Sequence, residues 1–236
     1  VVSGATSGIG RAAAIGLGKA GYQVAILGRR ESELAETAKL AGASYGGVCD
    51  VTDPAAVHRF FTDVRSQLGR IDVVFNNAGR FAPQASVGDM DIATWQAMVD
   101  VNLNGAFHCA HAAARLMALE RRGSILLLGS IAGTKARSGS RVNPAYNATK
   151  AGLAAFVNAA AMQLRSHGVR INCISPGPTA TAMMDVQPAT VHAAVRDITL
   201  DGRMNNPSEV AELALFVAAH GRFTGEDVGL GGGAGL

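Results

Sequence analysis

Tyr146 and Lys150 stand four residues apart in an Ala-rich stretch that reads as a helix, so their side chains share one face. An ammonium about 4.5 Å from a phenol oxygen, at an effective dielectric near 20, favours the phenolate by roughly 3–4 kcal/mol. A free phenol titrates near about 10, and this interaction is expected to bring it down by about two or three units. A phenol poised in that way gives a proton to a carbonyl oxygen or takes one from an alcohol. The second chemical signal is Ser3-Gly4-Ala5-Thr6-Ser7-Gly8-Ile9-Gly10, directly after an apolar start. Its glycines let the backbone turn sharply and approach a pyrophosphate, while the following helix offers unpaired N–H groups and a positive dipole end. The spacing is G-x-x-x-G-x-G, a variant of the common dinucleotide-binding fingerprint.

Short aliphatic runs alternate with Ala-rich helical patterns along the chain and supply the elements that must hold these groups. Strands are expected at residues 1–2, 24–27, up to 48, 71–75, 124–128, 170–174 and near 228. Helices are expected near 10–20, 31–40, 54–68 with Asp53 or Thr52 as N-cap, 94–119, 145–166 and 207–219. Seven strands with helices between them predict an α/β fold, a doubly wound parallel sheet covered on both faces, in a single domain spanning 1–236. Segments 80–93 and 177–204 lack periodicity; the second is longer than an ordinary connection, which marks it as a substrate loop or lid.

With 236 residues the chain buries about 70% of its unfolded surface, enough for one core. A composition that is 48% hydrophobic and 17% charged excludes a disordered or fibrous chain. Apolar runs stay far below the roughly 18 residues of a membrane span. The net charge of +3 is scattered and only 12 residues are aromatic, which argues against a nucleic-acid surface. Cys49, Cys109 and Cys173 lie apart in apolar sequence, as buried thiols of a reducing, cytoplasmic compartment do. His108 and His111 are three apart but have no third ligand near them in sequence, so no metal is expected. The sequence starts without Met inside a strand, so a few leading residues are expected to be missing, and no signal peptide is read.

The ordered motifs together resemble the short-chain dehydrogenase/reductase family in its Tyr-x-x-x-Lys form. Besides the glycine turn (Gly4, Ser7, Gly8, Ile9, Gly10), Asp50-Val51 resembles the family's adenine contact, and Asn76-Asn77-Ala78-Gly79 follows the fourth strand. Val101-Asn102 lies in the long helix, Gly129-Ser130 ends the fifth strand, and Tyr146-Asn147-Ala148-Thr149-Lys150 opens the next helix. Pro176-Gly177, followed by Thr179 and Thr181, ends the sixth strand. The resemblance implies a catalytic set of Asn102, Ser130, Tyr146 and Lys150. Ser130 would hydrogen-bond the reacting oxygen, and Lys150 would also hold the nicotinamide ribose. Asn102 would sit where the helix is distorted, with its backbone helping to hold a water near Lys150. Three departures stand out. Ser3 replaces the usual Thr but keeps the hydroxyl, the loop 133–144 is about three residues longer than common, and the tail Leu230-Gly231-Gly232-Gly233 lacks the usual Asp.

Cofactor choice is read after the second strand. Gly28 stands where NAD-preferring relatives carry an acidic residue for the ribose 2′-hydroxyl, and Arg29 and Arg30 follow it. This implies NADP, with Arg29 or Arg30 on the 2′-phosphate. The expected activity is an NADP-dependent carbonyl reductase or alcohol dehydrogenase acting on a small organic substrate, with Met183 and Met184 either lining an apolar substrate pocket or simply covering the core. A 3-oxoacyl-thioester reductase is the competing reading within the family, and a non-catalytic nucleotide sensor is the competing reading outside it. The apolar outer sides of the helix 146–166 and of the long helix before it, together with the resemblance, imply a homo-oligomer, dimer or tetramer, without nucleic-acid or membrane partners.

Overall fold

The computed structural model describes residues 1–83, 85–134, 143–185 and 197–234. Seven strands form one sheet: β1 (Val2–Ser3), β2 (Ala25–Gly28), β3 (Tyr45–Val48), β4 (Val73–Asn76), β5 (Gly123–Leu128), β6 (Val169–Pro176) and β7 (Asp227–Leu230). They pair in parallel in the order 3-2-1-4-5-6-7. The order reverses between β1 and β4, and a crevice opens at the carboxyl ends of such a pair. The glycine turn and Asn77-Ala78-Gly79 both lie at that crevice.

Side chains alternate across the sheet, so one strand feeds two cores. Ile125 and Leu127 of β5 join Phe61, Cys109, Met117 and Val157 on one face. Leu126 joins Ala13, Leu17, Val210 and Val217 on the other. The first face is covered by α3 (Pro54–Leu68), α5 (Gly105–Glu120) and α7 (Pro144–Leu164). The second is covered by α1 (Gly8–Lys19), α2 (Glu31–Ala41) and α9 (Pro207–Ala219), the shorter helices being α4 (Ile92–Val99), α6 (Ile131–Thr134) and α8 (Ala182–Asp185). Among the described residues no helix is long and apolar enough to cross a membrane.

Several boundaries differ from the expected ones for local reasons. The helix expected over 94–119 starts at Ile92, capped by Asp91, and is interrupted by a π-helical turn at Asp100–Asn104. α7 begins at Pro144 because Asn143 caps it, its side chain accepting from the Ala145 N–H at 3.0 Å. It ends at Leu164, where a 3₁₀ turn (Arg165–His167) takes over. Asp53, rather than Thr52, caps α3 by accepting from the N–H groups of Ala55 and Ala56. Of the loop 133–144, residues 135–142 lie outside the described residues, as do residues 186–196 of the loop 177–204.

Candidate active site

The crevice is built from backbone. Ser3, at the end of β1, donates its hydroxyl to Asn76 Oδ1 at 3.0 Å and accepts from the N–H groups of Asn77 and Ala78, each at 3.0 Å. Asn77 returns the contact through Nδ2, which donates to the carbonyls of Ser3 (3.1 Å) and Gly4 (3.0 Å). These bonds lace the turn after β1 to the turn after β4. Gly4 takes a φ of +63°, and a Cβ there would lie 2.7 Å from Ala78 Cα, so both conformation and close approach require glycine. Ser7 caps α1 without a side-chain bond to the helix, leaving the amide end beside Gly8, Ile9 and Gly10 to a ligand. A polar, glycine-rich turn at a helix N-terminus fits a dinucleotide pyrophosphate.

The two arginines after β2 separate. Arg30 reaches over the glycine turn, with Nη2 donating to Thr6 Oγ1 at 2.8 Å and to Ser7 Oγ at 3.1 Å, and Nη1 3.2 Å from Glu33. Arg29 is 67% exposed and points to Asp50, 3.6 Å away. Asp50 also accepts from the backbone and hydroxyl of Thr52 at 3.0 and 2.9 Å. Burial raises its carboxyl, but the bonds from Thr52 and the charge of Arg29 outweigh that and hold it below the usual carboxylate value. Val51 is a core residue, and its carbonyl accepts from His108 Nδ1 at 2.9 Å.

On the other side of the crevice, α7 carries Tyr146 and Lys150. The Ser130 side chain stands beside the Tyr146 phenol and favours its ionised form, and Phe81 packs edge-on against the Tyr146 ring with centroids 5.2 Å apart. Lys150 is only 4% exposed; its Nζ donates to the Leu128 carbonyl at 2.6 Å and stands 5.7 Å from the centre of the Tyr146 ring. Asn102 lies in the π turn, 1% exposed. Its side chain accepts from Arg80 N at 2.6 Å, donates to Arg80 O at 2.9 Å, and reaches Thr149 Oγ1 at 3.3 Å. The distortion expected at Asn102 is present, and the amide clamps the strand-to-loop backbone after Gly79 instead of facing solvent.

The electrostatics correct one expectation. Burial pushes the Tyr146 phenol above its ordinary value, and the Ser130 side chain pulls it partly back. Burial also pulls the Lys150 ammonium down to about 8. In the ligand-free protein burial therefore outweighs any depression of the phenol by Lys150. Its ammonium is directed at the Leu128 carbonyl and is itself short of solvation.

The family model described as enoyl-(acyl carrier protein) reductase matches residues 4–234. The chain is 33% identical to cis-4-hydroxycyclohexanecarboxylate dehydrogenase of Sinomonas cyclohexanicum, over 93% of this chain and 88% of that protein. It is 30% identical to the 3-oxoacyl-[acyl-carrier-protein] reductase FabG of Escherichia coli, over 99% and 95%. The crystal structure of a short-chain type dehydrogenase/reductase from Mycobacterium marinum superposes with a TM-score of 0.91 at 32% identity, covering 99% of this chain and 93% of that one. The chain belongs to the short-chain dehydrogenase/reductase family. It is thus an oxidoreductase that acts on hydroxyl or carbonyl groups, in a family that uses nicotinamide cofactors.

In this family member the segment after β6 folds back over the glycine turn. Gly177 N donates to the Leu230 carbonyl at 2.8 Å, which ties the end of β6 (Pro176) to the C-terminal tail despite the missing Asp. Thr179 Oγ1 donates to Gly177 O at 2.9 Å, and Thr181 Cγ2 comes within 3.1 Å of where a Cβ on Gly8 would lie. Met183 is exposed beyond it, with Met184 half-buried. Thr6, Phe81 and Asn143 were not among the sequence-derived site residues. The pair Asn143-Pro144, an N-cap followed by Pro, was the one readable signal among them.

Proposed function

We propose that this protein is an NADP(H)-dependent carbonyl reductase or alcohol dehydrogenase, with Tyr146 as general acid and base. The observation that carries the reading is the meeting of Ser130, Tyr146 and Lys150 across the crevice from the laced glycine turn. A nicotinamide cofactor, when bound, supplies or accepts the hydride. Tyr146 Oη gives its proton to the substrate oxygen in reduction and takes one from the alcohol in oxidation. Ser130 donates to the same oxygen and fixes its position. Lys150 holds the ribose, and Asn102 holds the backbone at Arg80 and supports a water beside Lys150. Gly4, Ser7, Gly8, Ile9 and Gly10 receive the pyrophosphate, Asp50 and Val51 border the adenine, and Asn77, Ala78 and Gly79 line the middle of the dinucleotide. Pro176, Gly177, Thr179 and Thr181 close over it, with 177–184 on the substrate side.

NADP is favoured because Gly28 presents no carboxylate, whereas Arg30 and Arg29 present two cations. Arg30 is the better placed, over Thr6 and Ser7. A 3-oxoacyl thioester is the second substrate reading, supported by the similarity to the acyl-carrier-protein reductase. The exposed Phe107, Leu119 and Met162 of α5 and α7 support a homo-oligomer, and the three buried thiols support a reducing cytoplasm. The deciding experiment is fluorescence titration with NADPH and NADH, followed by turnover of ketones, aldehydes and 3-oxoacyl thioesters. NADPH is expected to bind more tightly, with turnover of at least one class. An intact NADPH site without turnover across the panel would instead favour a nucleotide sensor.

A further inference from the structure

Thr6 touches both features on which the cofactor reading rests. Its hydroxyl accepts from Arg30 Nη2 at 2.8 Å. Its methyl, Cγ2, lies 2.7 Å from where a Cβ on Gly28 would stand, well inside van der Waals contact. Gly28 has no need of a left-handed conformation; the Thr6 methyl is what bars a side chain there. Thr6 has little freedom to withdraw. It is 8% exposed, its carbonyl accepts from Arg11 Nη2 at 2.8 Å, and the preceding Ala5 N–H is bonded to the Leu27 carbonyl at 3.2 Å. Arg11 is in turn held by Thr37 at 3.0 Å and Glu36 at 2.7 Å. A β-branched side chain has few χ1 choices, and turning Thr6 to clear position 28 would carry its hydroxyl away from Arg30. The same rotamer therefore aims the cation and blocks the carboxylate.

The geometry points to Thr6 as a specificity-determining residue that commits the adenosine end of the site to a 2′-phosphorylated dinucleotide, by aiming Arg30 and barring an acidic side chain from position 28. This deepens the NADP reading and rests on it. Discrimination here has an attractive element, a directed guanidinium, and a repulsive one, a steric bar to the group that would select a free 2′-hydroxyl. The two are carried by different atoms of one residue, so they separate by substitution. Thr6→Ser keeps the oxygen and removes the methyl; Thr6→Val keeps the bulk and removes the hydrogen bond.

The test is a double-mutant cycle read by NADPH and NADH fluorescence titration and by thermal unfolding of the ligand-free protein. Thr6→Val is expected to weaken NADPH by about fivefold or more and to leave NADH within about twofold, because Arg30 loses its bond to Thr6 and keeps only Ser7 and Glu33. Thr6→Ser should hold NADPH near wild type. Gly28→Asp alone should lose NADPH without gaining NADH, whereas Thr6→Ser/Gly28→Asp should bind NADH at least about tenfold more tightly than Gly28→Asp. In the ligand-free protein, Gly28→Ala should lower the melting temperature beside Thr6 and much less beside Ser at position 6. Equal NADH binding by Gly28→Asp in both backgrounds, or equal effects of Thr6→Val on both cofactors, would overturn the assignment. Wild-type protein that prefers NADH would overturn the NADP reading itself. In that case the unfolding cycle still reports whether residues 6 and 28 exclude each other.

Discussion

The glycine turn and the catalytic pair face each other across one crevice and are held in place by different physics. At the turn, backbone carbonyls and amides are tied by uncharged side chains, Ser3 and Asn77, and positions 4 and 28 must lack a Cβ. At the catalytic pair, two titratable side chains are buried, and their protonation is set by desolvation as much as by each other. The first arrangement is indifferent to pH over the range where proteins are stable. The second is sensitive to it by construction, because a buried ammonium or phenol keeps its proton only as far as its surroundings allow. Substitutions on the two sides should therefore fail differently: those at the turn in affinity and folding, those at the pair in turnover and pH dependence.

The largest expected effect is at the pair. Tyr146→Phe keeps the ring against Phe81 and removes only the hydroxyl, so folding and NADPH binding should persist while kcat falls by at least about a hundredfold. Near wild-type turnover on a confirmed substrate would remove Tyr146 as acid and base.

Next in size is the pH dependence of stability that Lys150 introduces. Its ammonium titrates at about 8 in the folded protein against an ordinary 10.5. Below pH 8 the lysine is charged in both states, and the folded state carries the cost of burying it. Between about 8 and 10.5 the unfolded chain binds more protons, so this group makes stability rise with pH, by about 3 kcal/mol across the window. Lys150→Met should abolish that rise, and the difference between the two urea-denaturation series isolates it from other groups. Parallel pH curves for wild type and Lys150→Met would contradict the burial argument.

The fold was largely legible because periodicity reports burial directly: every strand of the sheet was expected within a few residues of where it lies. The candidate site was legible as residue types, since Ser130, Tyr146, Lys150 and the glycine turn carry their spacing in the sequence. Contacts across the chain were not legible. Nothing near Ser3 announces that its hydroxyl reaches two amides more than seventy positions away. The direction of the Tyr146 titration was not legible for a similar reason. A helical spacing of four fixes which face two side chains share, but it does not show that Lys150 turns to the Leu128 carbonyl or that the phenol is buried. Arg29 and Arg30 look alike in sequence, and their contacts with Thr6, Ser7, Glu33 and Asp50 tell them apart.

On the turn side, the corresponding test is Ser3. Ser3→Ala leaves the Asn77 and Ala78 amides without their acceptor and should cost about 2 kcal/mol of stability together with several-fold in NADPH affinity. Ser3→Thr keeps the oxygen and should restore most of both. The loss should be the same at pH 7 and pH 9, in contrast to Lys150. A pH-dependent loss would mean that the turn is coupled to the titrating pair after all.

The smallest effect expected is a displacement of one titration. The Ser130 side chain lowers the Tyr146 phenol, while burial raises it. Phenolate absorbance of the ligand-free enzyme, taken as wild type minus Tyr146→Phe, gives the curve of Tyr146 alone. Recording it within milliseconds of a pH jump reads the folded protein before alkaline unfolding intervenes. The midpoint should lie above the ordinary phenol value of about 10. In the Ser130→Ala background it should move further up, because the donor that favours the phenolate is gone and the desolvation remains. In the Ser3→Ala background it should not move, since Ser3 belongs to the other side of the crevice. A midpoint unchanged by Ser130→Ala would mean that Ser130 does not hold the phenol. Ser130 would then act on the substrate oxygen alone, and the two catalytic hydroxyls would be independent of each other.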